Sequence, residues 1–187
     1  MIANLPKLYF ILLGALPPGR SIEQHDVFFG IASSLTALKP DILEFWPEAV
    51  GKIHLDGYRA VTQIGDFSIE VVPRDSDLTS DWKLFFINLG GYKPGEIEEF
   101  HYKCLIVANS KAEAIKQAKE STFYKHTGFN GAVSHIDDKY GVDVDDVFEM
   151  EEALAEKFLN QYKLFINPRK GVPEDSLNIG YFKFDKL

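Results

Sequence analysis

Four short motifs in this chain set a carboxylate two residues from an imidazole: Glu23-x-His25, His54-x-Asp56, Glu99-x-His101 and His135-x-Asp137. On a β-strand, residues i and i+2 lie on the same face, so each motif presents its acid and its imidazole side by side. If the strands that bear them are neighbours, each half of the chain gathers two histidines and two carboxylates. Such a set could hold zinc, iron or manganese, or could run acid–base chemistry with a carboxylate orienting an imidazole. The structural alternative is equally concrete, because histidine and aspartate at strand ends commonly hydrogen-bond exposed backbone and fix a turn. Ligand, catalyst and turn-former are all compatible with these eight residues, and the motifs name neither a metal nor a reaction.

The motifs stand out because the chain repeats itself. Residues 8–34 laid over 84–110 without a gap agree at 11 of 27 positions, among them Gly14/Gly90, Glu23/Glu99 and His25/His101. Unrelated sequences would agree at roughly one or two, and internal periods are the first thing to look for. With a five-residue insertion, Ile53-His-Leu-Asp56 lies over Ser134-His-Ile-Asp137, and Phe67 over Phe148. The sequence thus reads as a tandem duplication, 8–72 and 84–150, followed by an extension over 151–187 without counterpart. Halves of this size are expected to share one core as one pseudo-symmetric domain.

The elements that must position the motifs follow from periodicity. Leu8–Leu13 and Leu84–Leu89 are short apolar runs bounded by Gly and Pro, as buried strands are, and Val27–Ala32 and Tyr102–Ala108 are the second strand of each copy. Ser110-Lys-Ala-Glu113 is a capping box that should open a helix burying Ala114, Ile115 and Ala118. Ser34–Trp46 is its counterpart, with Pro40 near the start, where proline is tolerated. A third strand is expected at Lys52–Asp56, and a hairpin of Arg59–Gln63 with Phe67–Val72 at Gly65-Asp66. In the extension, Leu154, Phe158, Tyr162 and Phe165 are spaced for one amphipathic helix ending at Asn167-Pro168, before a short strand near Tyr181–Phe184. The expected fold is α+β: two β-β-α-β units of largely antiparallel sheet with helices on one face, plus the C-terminal helix.

Other features narrow the function. The formal charge of −8 opposes phosphate backbones and anionic lipid, so no nucleic acid and no membrane is expected as partner. The apolar run Leu8–Leu16 resembles a weak secretory core, but the same run recurs in mid-chain, where no signal sits. A single cysteine excludes an intramolecular disulfide and fits a reducing compartment; Cys104 aligns with Phe28, a packing position. The glycine-bounded connections Gly14–Gly19 and Gly90–Gly95 lack the signatures of a phosphate loop and read as plain hairpins. The acidic stretch Asp137-Asp138 and Asp143-x-Asp145-Asp146 lacks the glycine and closing glutamate of a calcium loop and reads as solvated.

At Leu84-Phe-Phe-Ile-Asn-Leu-Gly-Gly-Tyr, with Glu99-x-His101, the helix at Ala112-Glu-Ala and His135-Ile-Asp-Asp138, the sequence resembles the bacterial family of domain of unknown function 1543. Gly14, Ile22-Glu-Gln-His-Asp26 and His54-Leu-Asp56 resemble the same pattern, with a departure at Ala15, where the later copy has Gly91. The resemblance spans about 8–150. It implies a bacterial, cytoplasmic protein and brings no catalytic residue, cofactor or substrate with it. The functional expectation is a module that binds a small molecule or a protein, with a homodimer as one form of it. The alternative is a metal-assisted hydrolase or acid–base enzyme working through the four motifs, with a divalent metal as the cofactor.

Overall fold

The computed structural model describes residues 5–92, 97–126 and 143–187. The chain forms two compact units, Met1–Thr79 with Leu154–Leu187 (unit 1) and Ser80–Ala153 (unit 2).

In unit 1, β1 (Lys7–Ala15) is the inner strand, antiparallel to β2 (Gln24–Ala32) on one side and β3 (His54–Val61) on the other. Strand β10 (Asn178–Lys183) extends the sheet beside β3, giving the order β10-β3-β1-β2. Alternation along β1 sends Ile11, Leu13 and Ala15 to one face, where they are fully buried, and Phe10, Leu12 and Gly14 to the other. The short helix α1 (Lys39–Phe45), entered through Pro40, buries Ile42 and sets Phe45 edge-on to Phe28, which pairs with Ile11 on the first of these faces. The even-numbered face, with Gly14, lies opposite. A second sheet of β4 (Gln63–Ile64), β5 (Phe67–Pro73) and β9 (Tyr162–Pro168) completes the unit.

In unit 2, β6 (Lys83–Tyr92) lies between β7 (Glu99–Ala108) and β8 (Asp143–Glu149). Helix α2 (Lys111–His126) packs Ala114 and Ala118 on Phe85, Ile87 and Leu89, with Cys104 against the same cluster. The serine half of its capping box forms, the Glu113 N–H donating to Ser110 Oγ at 3.3 Å, while the Glu113 carboxylate reaches one residue further back, Oε2 accepting from the Asn109 N–H at 3.1 Å. As in unit 1, the helix covers the odd-numbered face and leaves the face of Gly90 on the other side. The registers coincide: Gly14 faces His25 and Gly90 faces His101, and each partner is 76 residues from its counterpart.

Two expectations are corrected. The fold is not an α+β layer with helices over one face: it is mostly antiparallel sheet, in three sheets, and among the described residues strand far outweighs helix. The C-terminal helix is the main reason. Helix covers only Met150–Ala153 (α3) and Glu156–Leu159 (α4), and Tyr162–Pro168 is a strand paired along all of β5. Residues 154, 158, 162 and 165 fit a helical period, but Tyr162-Lys-Leu-Phe-Ile166 is also rich in strand formers, and the exposed edge of β5 supplies a ladder that an isolated helix cannot match. A hairpin turns at Gly65-Asp66, with Gly65 at φ 52°, but of its expected first arm only Gln63, with Ile64, pairs with β5, while Arg59–Val61 belongs to β3 and pairs with β1.

Candidate functional site

Gly14 is the floor of the site in unit 1. It sits directly between His25 on β2 and His54 on β3, and antiparallel partners project to the same face, so two imidazoles flank a residue with no side chain. Glu23 lies two residues before His25, on the connection into β2. Asp56 reaches the same face through a β-bulge: Leu13 faces Leu55 and Leu12 faces Gly57, leaving Asp56 as the extra residue. Bulges are a recurrent means of re-aiming a side chain.

The four side chains converge. His25 Nε2 lies 3.0 Å from Asp56 Oδ2 and 3.5 Å from Glu23 Oε2. His54 Nε2 lies 3.2 Å from Asp56 Oδ1 and 3.3 Å from Glu23 Oε1. His54 is only 3% exposed, and its Nε2 is a buried nitrogen with no aligned hydrogen-bond partner, although two carboxylate oxygens are close. A Cβ placed on Gly14 would fall 2.4 Å from His54 Nε2 and 2.8 Å from Asp56 Oδ2, so no other residue fits this floor as built.

The extension supplies the back wall. Tyr181 on β10 stacks on the His54 ring, centroids 4.3 Å apart. Strand β10 is led there by the preceding loop, whose Asp175 carboxylate accepts from the Thr62 and Gln63 N–H groups and from the Thr62 hydroxyl, while Glu174 accepts from the Gly65 N–H and pairs with Arg59.

Unit 2 holds a similar arrangement around Gly90. Gly90 faces His101 on β7 and Asp143 on β8; Leu89 faces Val144 and Asn88 faces Asp146, so Asp145 is the bulge residue. His101 Nε2 lies 3.4 Å from Asp145 Oδ2 and 4.0 Å from Glu99 Oε2, and one donor atom from each of the three falls within 4.8 Å of the others. A Cβ on Gly90 would sit 2.5 Å from both Asp145 Oδ2 and Glu99 Oε1.

Of the eight sequence candidates, Glu23, His25, His54 and Asp56 come together, as do Glu99 and His101. His135 and Asp137 lie outside the described residues. The register of β8 puts Asp143 and Asp145, not that pair, at the positions of His54 and Asp56, and it puts Phe148 opposite Phe86, unrelated to Phe67 at the start of β5. Four contributors are not marked by the sequence motifs. Asp145 belonged to a stretch read as solvated loop, Gly14 and Gly90 were assigned to hairpin connections, and Tyr181 lay in the extension. The usable signal was the strand partner of Gly90, since a carboxylate opposite that glycine matters more than a matching His-x-Asp string.

Among the described residues, no helix is long and apolar enough to cross a membrane. No curated protein matches the chain. The fold is similar to a solved structure, the crystal structure of a protein Il1583 from Idiomarina loihiensis, with TM-score 0.60 and 21% identity over 95% of this chain and 97% of that one. Residues 20–71, the segment that holds Glu23, His25, His54 and Asp56, match the family model described as Domain of Unknown Function (DUF1543). The resemblance read from the sequence therefore holds over this segment, where the chain carries the pattern of the DUF1543 family.

Proposed function

We propose that the protein is a binding module whose ligand is a divalent transition metal of the zinc class, held in unit 1 by Glu23, His25, His54 and Asp56. The observation that carries this reading is the buried His54 Nε2, unpartnered and pressed between two carboxylates over a glycine floor. Leaving a buried polar atom without a partner costs about 1–3 kcal/mol, and a cation bonded to that nitrogen removes the cost. The spacings agree. Zinc bonds of about 2.0–2.2 Å set neighbouring donors roughly 3.3–3.6 Å apart in a tetrahedron and about 2.8–3.1 Å in an octahedron. The four nitrogen–oxygen distances run from 3.0 to 3.5 Å. Two imidazoles with two carboxylates also suit zinc better than magnesium or calcium, which favour all-oxygen shells. The common offset of 76 between the first two strands of each unit supports the reading of a tandem duplication with one cation site per copy.

Calorimetric titration of metal-stripped protein with zinc chloride tests the site. One equivalent should bind to unit 1, and His54→Ala and Asp56→Asn should each weaken it at least a hundredfold, beyond the ten- to hundredfold typical of outer-shell partners. Binding unchanged in both variants, with the far-ultraviolet spectrum intact, overturns the reading.

A second reading, metal-assisted hydrolysis, draws on one feature: the His25 and Glu23 side chains are 43% and 47% exposed, so a bound cation stays reachable by substrate. Zinc-loaded protein that cleaves no activated ester or phosphodiester above the rate of free zinc removes this version while leaving the binding module intact.

A further inference from the structure

Unit 2 does not simply copy the unit 1 site. At the position of His54 it has Asp143, and at the position of Leu12 it has Asn88, two residues before the glycine floor and on its face. The Asn88 amide lies against the cluster, its Nδ2 donating to Asp145 Oδ2 at 3.5 Å, while its Oδ1 is buried with no hydrogen-bond partner. The two ends of an amide are nearly the same size, so a half-turn about its last bond exchanges them and offers an oxygen where a nitrogen now stands. Donors described here are thus one imidazole, two carboxylates and one amide, against two imidazoles and two carboxylates in unit 1.

Donor type sets ion preference. Thiolate and imidazole favour zinc and copper, whereas carboxylate, carbonyl and water favour magnesium, calcium and manganese. One donor atom from each of Glu99, His101 and Asp145 falls within 4.8 Å of the other two. Their exposure, between 31% and 40%, leaves room for water to fill further positions around a six-coordinate ion.

We propose that unit 2 carries a second divalent-cation site, formed by Glu99, His101, Asp145 and Asn88, that selects a harder ion of the manganese(II) class while unit 1 selects zinc. The inference rests on the metal reading of unit 1 and extends it: the two sites divide two kinds of divalent ion between them.

Manganese(II) is a convenient probe, because its free-ion electron paramagnetic resonance signal disappears on binding. Full-length protein preloaded with one equivalent of zinc should still remove close to one equivalent of manganese from solution. Asp145→Asn and His101→Ala should each weaken that uptake tenfold or more, and Asn88→Leu, which restores the residue of unit 1, should weaken it severalfold. His54→Ala should leave it unchanged. The three residues other than His54 are partly exposed, and unchanged melting of the metal-free variants confirms that each still folds. Manganese uptake lost in His54→Ala but retained in Asp145→Asn overturns the proposal, as does zinc binding in unit 1 with no manganese uptake at all. Failure of both ions to bind overturns the unit 1 reading as well, so the two failures are distinguishable.

Discussion

Units 1 and 2 hold three of their site residues almost identically. His25 and His101 are 43% and 40% exposed, Asp56 and Asp145 27% and 31%, and both aspartates sit on the same bulge beside the same glycine. The fourth position is where they part. In unit 1 it holds His54, buried because β10 pairs along β3 and Tyr181 covers the ring. In unit 2 the corresponding strand β8 is the edge of its sheet among the described strands, and the position is Asp143. A segment outside β1–β3 and β6–β8 therefore contributes to the difference. In unit 1, β10 and Tyr181 bury the ring of the fourth residue, His54, while Glu23, His25 and Asp56 stay about as exposed as their counterparts in unit 2.

The sharpest way to break this comparison is at the floors. Gly14→Ala should abolish zinc binding in unit 1, a loss of more than a hundredfold by calorimetry, because the new methyl would stand 2.4 Å from the Nε2 of a buried, stacked ring that has nowhere to go. Overpacking of this kind also costs about 1–3 kcal/mol of stability, readable by urea unfolding. Gly90→Ala meets carboxylate ends that are about a third exposed, so manganese uptake should fall about tenfold or less with stability nearly unchanged. Equal effects in the two units would mean that the burial of His54 does not distinguish them.

Exchanging the fourth residue comes next. His54→Asp gives unit 1 the residue of unit 2, and its zinc affinity should drop on the order of ten- to hundredfold, comparable to losing a good supporting ligand. The same variant should melt lower without metal, because a carboxylate in that dry place lacks the solvation it would have on an open edge, and manganese should restore part of the loss. If His54→Asp binds zinc as the parent does, donor type is not what separates the sites.

Much of this was legible in the residue string. The strands at Leu8–Leu13 and Leu84–Leu89, their partners, the capping box at Ser110 and the hairpin at Gly65-Asp66 are local signals, each set by a run, a cap or a turn residue. The convergence of Glu23, His25, His54 and Asp56 followed from an i, i+2 argument and the guess that the strands are neighbours. What the string hid was decided by pairing at a distance. Bulges shift the partners of Leu12 and Asn88 by one residue and leave Asp56 and Asp145 as the extra residues, and no local pattern marks a bulge. The likeness of His135-Ile-Asp137 to His54-Leu-Asp56 drew the alignment of the third strand eight residues from where the ladder puts it. Tyr162–Pro168 chose strand over helix because β5 offered an edge, a fact about another part of the chain.

Tyr181 gives the finest test of the comparison, since it touches the site without offering it a donor in the present reading. An aromatic stack is worth about 0.5–1.5 kcal/mol beyond the area it buries. Tyr181→Ala should therefore weaken zinc binding in unit 1 by roughly two- to tenfold, by letting the His54 ring rotate and letting water reach it. Tyr181→Phe keeps the ring and should bind zinc as the parent does, and neither variant should alter manganese uptake by unit 2. A loss in Tyr181→Phe as large as in Tyr181→Ala would transfer the role from the ring to the phenolic oxygen. The tyrosine would then be a fifth donor in place of a cover, and the difference between the units would be one of ligand number as well as of burial.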